Sequence, residues 1–341
     1  MRTMSLPTIL IAQPADWPDR QRKIVSMARF SSSVVAGMAL IHGADAFHVG
    51  ALSNTMARPA LTISQSPKFA SSRSSFISAQ ELLAPPPAGY EGAVAAGEKK
   101  ANMPTSKIFN LGVLSGCHIG FGAFLMLSVG GACPGLAATN PGLKAIVSGL
   151  FGLPFGLMMT LLSGAELFTG NTALVTMAVL EGKADKGQLA KSWGASYAGN
   201  FVGSLILAYL AFMGATLAGG GASVPVAMAK TSMPFKVAFV RGILCNWLVC
   251  MAVYLASMAK DAAGKMVPIL FCISAFIALG LEHSVANMFI IPLGIFNGAA
   301  VTWGSFLMKN LLPVTLGNIV GGAVCVAMGF SLAYGKLGKS A

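Results

Sequence analysis

Residues 280–287, "GLEHSVAN", decide how this chain is read. Glu282 and His283 stand side by side between two apolar runs, "KMVPILFCISAFIAL" at 265–279 and "IIPLGIF" at 290–296. Ionisable residues inside apolar sequence of membrane-crossing length are costly unless they face protein or water. The stretch has a partner upstream: "GAELFTGN" at 164–171 repeats its Gly-x-Glu and its Asn seven residues after the Gly, so Asn171 corresponds to Asn287. Further on, "GNFVG" from Gly199 corresponds to "GNIVG" from Gly317, 33 residues after Glu166 and 35 after Glu282. "FNLGVLSG" from Phe109 resembles "FVRGILCN" from Phe239 in its Phe, Gly and Leu.

Apolar runs near 108–130, 145–180, 190–218, 236–259, 267–297 and 311–334 are each long enough for a span of roughly 20 residues. The second and fifth are overlong, and the two related motifs interrupt them. Three spans per copy is an odd number, so the second copy must cross the membrane upside down relative to the first. The expected fold is an all-α integral membrane protein of six transmembrane helices, an inverted repeat of three with broken second and fifth helices. Such folds place the substrate path where the broken helices meet.

Composition agrees. The chain of 341 residues is 55% hydrophobic and 10% charged, against about 25% charged in soluble domains. The net charge of +12 does not point to nucleic acid, because the lysines are scattered through short loops. With the N-terminus inside, ten lysines (Lys99, Lys100, Lys107, Lys183, Lys186, Lys191, Lys260, Lys265, Lys336, Lys339) fall in inner segments and four (Lys144, Lys230, Lys236, Lys309) in outer ones, which favours both termini inside. The six cysteines form no CxxC pair, so they read as small buried hydrophobes, and no metal or other cofactor is expected.

Residues 1–97 differ from the rest. From Met27 the sequence has a basic residue, a short apolar region and Ala44 and Ala46 ahead of Phe47, the layout of a secretory signal over about 27–46. Residues 47–80 contain no Asp or Glu and are rich in Ser, as transit peptides are. Together they resemble the bipartite plastid-targeting presequence of algae with complex plastids, and Met27 is then the expected start. A linker carrying Pro85–Pro87 leads to a body expected at 98–341.

Five acidic residues lie beyond Thr105, and Glu181, Asp185 and Asp261 are assigned to inner loops. Only Glu166 and Glu282 lie within spans. Free backbone N–H groups at half-helix N-termini suit carboxylates, so the two glutamates are expected to clamp the breaks, in preference to carrying protons. His283 faces Leu167 in the repeat, so the repeat does not require it. A histidine at a midplane break can exchange protons near neutral pH. His118, on the first span, has no such setting.

"GAELFTGN", "RGILCNWLVC", "GLEHSVANMFIIPLG" and "NLLPVTLGNIVGG" together closely resemble the formate/nitrite transporter family over roughly residues 90–334. The resemblance implies a homopentamer of aquaporin-like protomers embedded in lipid, each conducting small monovalent anions such as nitrite, formate or hydrosulfide. It places the family's central histidine on His283, its partner asparagine on Asn246, the facing threonine on Thr169, and hydrophobic constrictions on Leu157, Leu167, Phe168 and Phe276. A gate position that is aromatic in some members is Leu153 here, with Phe155 nearby. On this reading His283 gives the anion a proton or a strong hydrogen bond, so that what crosses the constriction is close to neutral. Family motifs do not separate nitrite from formate; the plastid address selects nitrite, because plastids reduce it, and the inner envelope as the site. An aquaporin-type neutral pore would lack a use for the histidine and would carry Asn-Pro-Ala signatures, which are absent. An enzyme would need a catalytic cluster that the sequence does not supply.

Overall fold

The computed structural model describes residues 83–217 and 221–339, which fall within one compact unit, Arg73–Ala341. The expected signal and transit segments lie outside the described residues. Among these residues the regular elements are helices, with a single isolated bridge between Leu83 and Ala259.

The first copy opens with α1 (Pro86–Ala101) and the long α2 (Thr105–Gly131). The second span follows as α3 (Pro141–Leu150), α4 (Leu153–Ser163) and α5 (Phe168–Leu180), and the third as α6 (Lys186–Met213). The second copy repeats the order: α7 (Ser223–Thr231), the long α8 (Phe235–Met258), the broken pair α9 (Ala262–Ala278) and α10 (Ser284–Phe296), and a last span α11 (Trp303–Tyr334). Five helical stretches are long and apolar enough to cross a bilayer, while α5, α9 and α10 are shorter apolar pieces. At 1.5 Å per residue, the 13 residues of α5 or α10 reach only about 20 Å, part of a roughly 30 Å hydrocarbon core. These are the half-helices of the two breaks. The last span carries π-helical turns at Phe306–Leu311 and Gly321–Met328.

One boundary differs from the sequence reading. Residues 86–97 are helix, not linker, and the body begins with α1. Pro85 takes an extended conformation as N-cap, and the next two prolines occupy the first turn, where a missing N–H costs nothing and a fixed φ suits the helix. The proline run starts this helix rather than breaking it. Tyr90, Ala93 and Val94 then bury against Met177, Tyr254 and Val326 in a satellite core.

The copies pack alike. Gly112 on α2 lies against Gly199 on α6, and Gly242 on α8 against Gly317 on α11; a Cβ on Gly199 or Gly317 would run into the carbonyl oxygen of Phe109 or Phe239. Backbones meet where small residues allow close approach, as membrane helices require in the absence of a hydrophobic force between them. The main core gathers Leu157, Leu167, Phe276, Phe289, Ile290 and Phe306 around the breaks.

Candidate functional site

Each break is built the same way. The first half-helix ends on a glycine in the left-handed region, Gly164 at φ 74° and Gly280 at φ 68°, where a side chain would be strained. The turn closes with N–H donation from Ala165 to the Thr160 carbonyl and from Leu281 to the Phe276 carbonyl, both 3.0 Å. The chain then runs extended through Glu166 or Glu282 to Leu167 or His283, the N-caps of α5 and α10.

Two asparagines of the "GN" motifs hold these turns. Asn200 accepts from the Phe168 N–H (2.9 Å) and donates to the carbonyls of Gly112 (2.8 Å) and Glu166 (2.9 Å). Asn318 does the same for Ser284 N–H (2.9 Å), Gly242 (2.8 Å) and Glu282 (3.1 Å). Each amide closes a full set of buried backbone groups that a bilayer would leave unsatisfied.

The glutamates are therefore partnered differently from the sequence expectation. Their carboxylates take no backbone N–H of the half-helices; the first such N–H, of Phe168 or Ser284, goes to an asparagine instead. Lys100 Nζ donates to Glu166 Oε1 at 2.6 Å, and Lys230 Nζ to Glu282 Oε1 at 2.8 Å. The other oxygen accepts from Asn171 (2.8 Å) or Asn287 (2.7 Å), with Asn310 adding 3.2 Å to Glu282. Both glutamates are 2% exposed, so each buried charge is paired and hydrogen-bonded, the condition under which burial is tolerated. The sequence reading counted Lys100 and Lys230 only as inner and outer loop charges, although "KANMP" at 100–104 and "KTSMP" at 230–234 align with Phe109 on Phe239 and carried the signal.

His283, 4% exposed, uses both ring nitrogens. Nδ1 accepts the Ala286 N–H (3.1 Å), a cap that Leu167 cannot supply in the first copy, and Nε2 lies 3.0 Å from Thr169 Oγ1. With Nδ1 accepting, the proton of the neutral ring sits on Nε2 and points at Thr169. That leaves the Thr169 hydroxyl hydrogen as a second donor at the same spot. Phe276 stacks on the imidazole with ring centroids 5.9 Å apart. Asn246 donates to the Thr169 carbonyl (3.2 Å), Thr172 Oγ1 (2.9 Å) and the Asn318 carbonyl (2.6 Å), fixing α5 behind the threonine.

Two cavities meet at this ring. A vestibule of about 330 Å³ reaches His283 from the side that carries Lys144, Lys230 and Arg241. Beyond it, a narrow apolar space of about 10 Å³ is walled by His283, Phe276, Leu157, Leu167, Leu153 and Ile273, among others. That volume is the size of a single water. Leu157, Leu167 and Phe276 thus come together with His283, and Leu153 joins them, while Phe155 is 47% exposed elsewhere. Phe168 does not line that space; its ring packs edge-on to Tyr197 (4.9 Å) and Trp193 (6.3 Å). Asn171 and Asn287 anchor the glutamates. His118 is partly buried, with no partner for Nδ1.

Comparison with known proteins converges on this architecture. Residues 88–332 match the family model described as formate/nitrite transporter. The chain is 42% identical over 260 residues to a probable formate transporter of Methanothermobacter thermautotrophicus, covering 71% of this chain and 94% of that protein. It is 35% identical over 237 residues to the nitrite transporter NirC of Escherichia coli, covering 66% and 83%. A solved FNT family ion channel aligns with a TM-score of 0.65 at 32% identity, covering 72% of this chain and 98% of that one. A pentameric formate channel with formate bound aligns at 0.58 and 30%, covering 68% and 98%. These relatives are transporters and channels, not enzymes, and a chain that matches the family model over residues 88–332 belongs to the formate/nitrite transporter family.

Proposed function

We propose that the chain conducts small monovalent weak-acid anions, nitrite first, through the space between its two helix breaks, with passage linked to a proton. The observation that carries this reading is the place of His283: its ring lines both the vestibule and the dry apolar segment, with Nε2 hydrogen-bonded to Thr169. A bare anion entering an apolar space one water wide loses its hydration at great cost, whereas the neutral acid does not. In this account the anion takes Nε2–H over from Thr169, with the threonine hydroxyl as a second donor, and is held at the rim until a proton from vestibule water joins it. The neutral acid then crosses Leu157, Leu167 and Phe276. Of the two roles open to the histidine, hydrogen-bond donation fits better than proton donation, because a relay through the ring would have to break the Nδ1 cap on Ala286.

Formate is the second substrate reading, supported by the formate transporter and formate channel among the relatives. The pentameric relative supports a homopentamer with a separate path in each protomer. The acid-free, Ser-rich segment 47–80 supports a place in the inner plastid envelope, where nitrite import has a use. Flux in proteoliposomes loaded against nitrite, formate, glycerol or water tests the function. Nitrite and formate should move and glycerol should not; glycerol passage without anion passage would replace the anion pore by a neutral-solute pore.

A further inference from the structure

Aligned at the offset that pairs Lys100 with Lys230 and Gly112 with Gly242, the first long helix of each copy differs at two telling places. Asn246 falls opposite Gly116, and Arg241 falls opposite Leu111. Asn246 already serves the break behind Thr169. Arg241 has no assigned role, and it brings a charge that the other half of the molecule lacks.

Its main chain does a job shared by both copies: the Arg241 carbonyl accepts the Glu282 N–H at 3.4 Å, as the Leu111 carbonyl accepts the Glu166 N–H at 3.2 Å. The side chain does something the first copy does without. Nη1 donates to the Gly280 carbonyl at 3.3 Å and touches Met233 Sδ at 3.4 Å, which fixes the guanidinium against the fifth-span break. Nε and Nη2 have no acceptor among the described residues, and no carboxylate there lies within ion-pair reach of Arg241. Glu282 is occupied by Lys230. Arg241 is exposed and lines the same 330 Å³ vestibule whose floor is His283. A leucine closes the matching turn of the first copy, so capping that turn does not explain an arginine.

We propose that Arg241 is a specificity-determining residue that captures planar two-oxygen anions at this mouth and hands them to His283, making the two mouths of the pore unequal. A guanidinium edge offers two parallel N–H bonds matched to two oxygens held by one central atom, the geometry of nitrite and of a carboxylate. A hydrosulfide ion has a single heavy atom and takes only the charge. The proposal rests on the anion-pore reading above.

The test is flux in vesicles of fixed protein orientation, with formate, nitrite or hydrosulfide added from the Arg241 side or from the opposite side. R241L, which installs the first copy's own residue, and R241K, which keeps the charge but not the fork, are compared with the wild type at equal protein and checked thermal stability. For R241L the half-saturating formate and nitrite concentrations rise about three- to tenfold from the Arg241 side and stay unchanged from the other, the size expected for losing a charged hydrogen-bond partner in a wet site. R241K shows a similar rise for formate and nitrite yet handles hydrosulfide like the wild type. Wild-type behaviour of R241L from both sides, or of R241K toward formate and nitrite, overturns the proposal while the pore reading stands. Absence of anion flux in the wild type removes both.

Discussion

Thr169 Oγ1, on the first break, and His283 Nε2, on the second, lie 3.0 Å apart. This hydrogen bond links the side chains of the two breaks at the edge of the dry segment. Thr169→Val keeps shape and removes the partner. In the proposed account it lowers nitrite flux modestly, by the equivalent of about 1 kcal/mol, or a factor of several. Initial uptake rates in proteoliposomes measure this, and an unchanged rate means that the hydroxyl is not a donor to the anion.

The lysine–glutamate pairs give a stability prediction. Glu166→Ala leaves a largely buried lysine uncompensated and the Asn171 amide without this acceptor, and Glu282→Ala does the same to its lysine and to the Asn287 and Asn310 amides, which costs on the order of 3 kcal/mol. Thermal unfolding of the detergent-purified protein should fall sharply for both, and by similar amounts. Wild-type stability with altered flux alone would instead assign these carboxylates to proton carriage.

The asparagines of the two "GN" motifs should behave as a matched pair. Asn200→Ala and Asn318→Ala each strip one buried N–H and two buried carbonyls of their partner, at about 1–3 kcal/mol per orphaned group. Loss of expression or of the folded oligomer on size-exclusion chromatography is the expected result in both cases. A tolerated substitution on one side only would show that the two breaks are not held alike.

How much of this was legible in the sequence depends on range. The repeat, the broken helices and the place of His283 came from local spacing, because Gly-x-Glu with an Asn seven residues on is one turn-and-cap unit. The lysines escaped because a partner for Glu166 sits on another helix, 66 residues away, and nothing local marks it. Phe168, next to Leu167 in sequence, packs its ring edge-on against Trp193 and Tyr197, contacts that local spacing does not reveal. The start of α1 was obscured by prolines, which end helices inside but begin them at the first turn.

Glu181 ties α1, the loop after α5 and the C-terminal turn together, accepting from Tyr90 (2.8 Å), Ser331 (2.8 Å) and the Lys336 N–H (3.0 Å). Burial pushes its carboxyl upward, but these donors, the Lys336 N–H foremost, outweigh burial and hold it below the ordinary glutamate range. A depressed value means that the stabilisation is complete above the unfolded value of about 4.3 and is lost as pH falls through the lower folded value. Glu181→Gln should therefore flatten the acid limb of the stability–pH curve below about pH 4. An identical acid limb in both proteins would show that Glu181 contributes nothing to it.

Residues 27–80 fused to a fluorescent protein should enter plastids of an alga with complex plastids, and replacing Phe47 should reduce import. A cytosolic signal from the intact fusion rules out the plastid address, and with it the main ground for placing nitrite ahead of formate.

The central claim, that His283 holds the anion by a hydrogen bond at the rim of a segment crossed by the neutral acid, is tested most directly by nitrite flux in proteoliposomes between about pH 5 and 8, a window bracketing the ordinary histidine value. Wild type, His283→Asn and His283→Leu are compared, the last being the residue that stands opposite in the first copy. The account predicts flux that rises as pH falls in the wild type, a reduced rate with the same pH slope in the Asn variant, which keeps an N–H donor, and near loss of flux at every pH in the Leu variant. Loss of the pH slope in the Asn variant would contradict it, because the proton would then be passing through the ring itself.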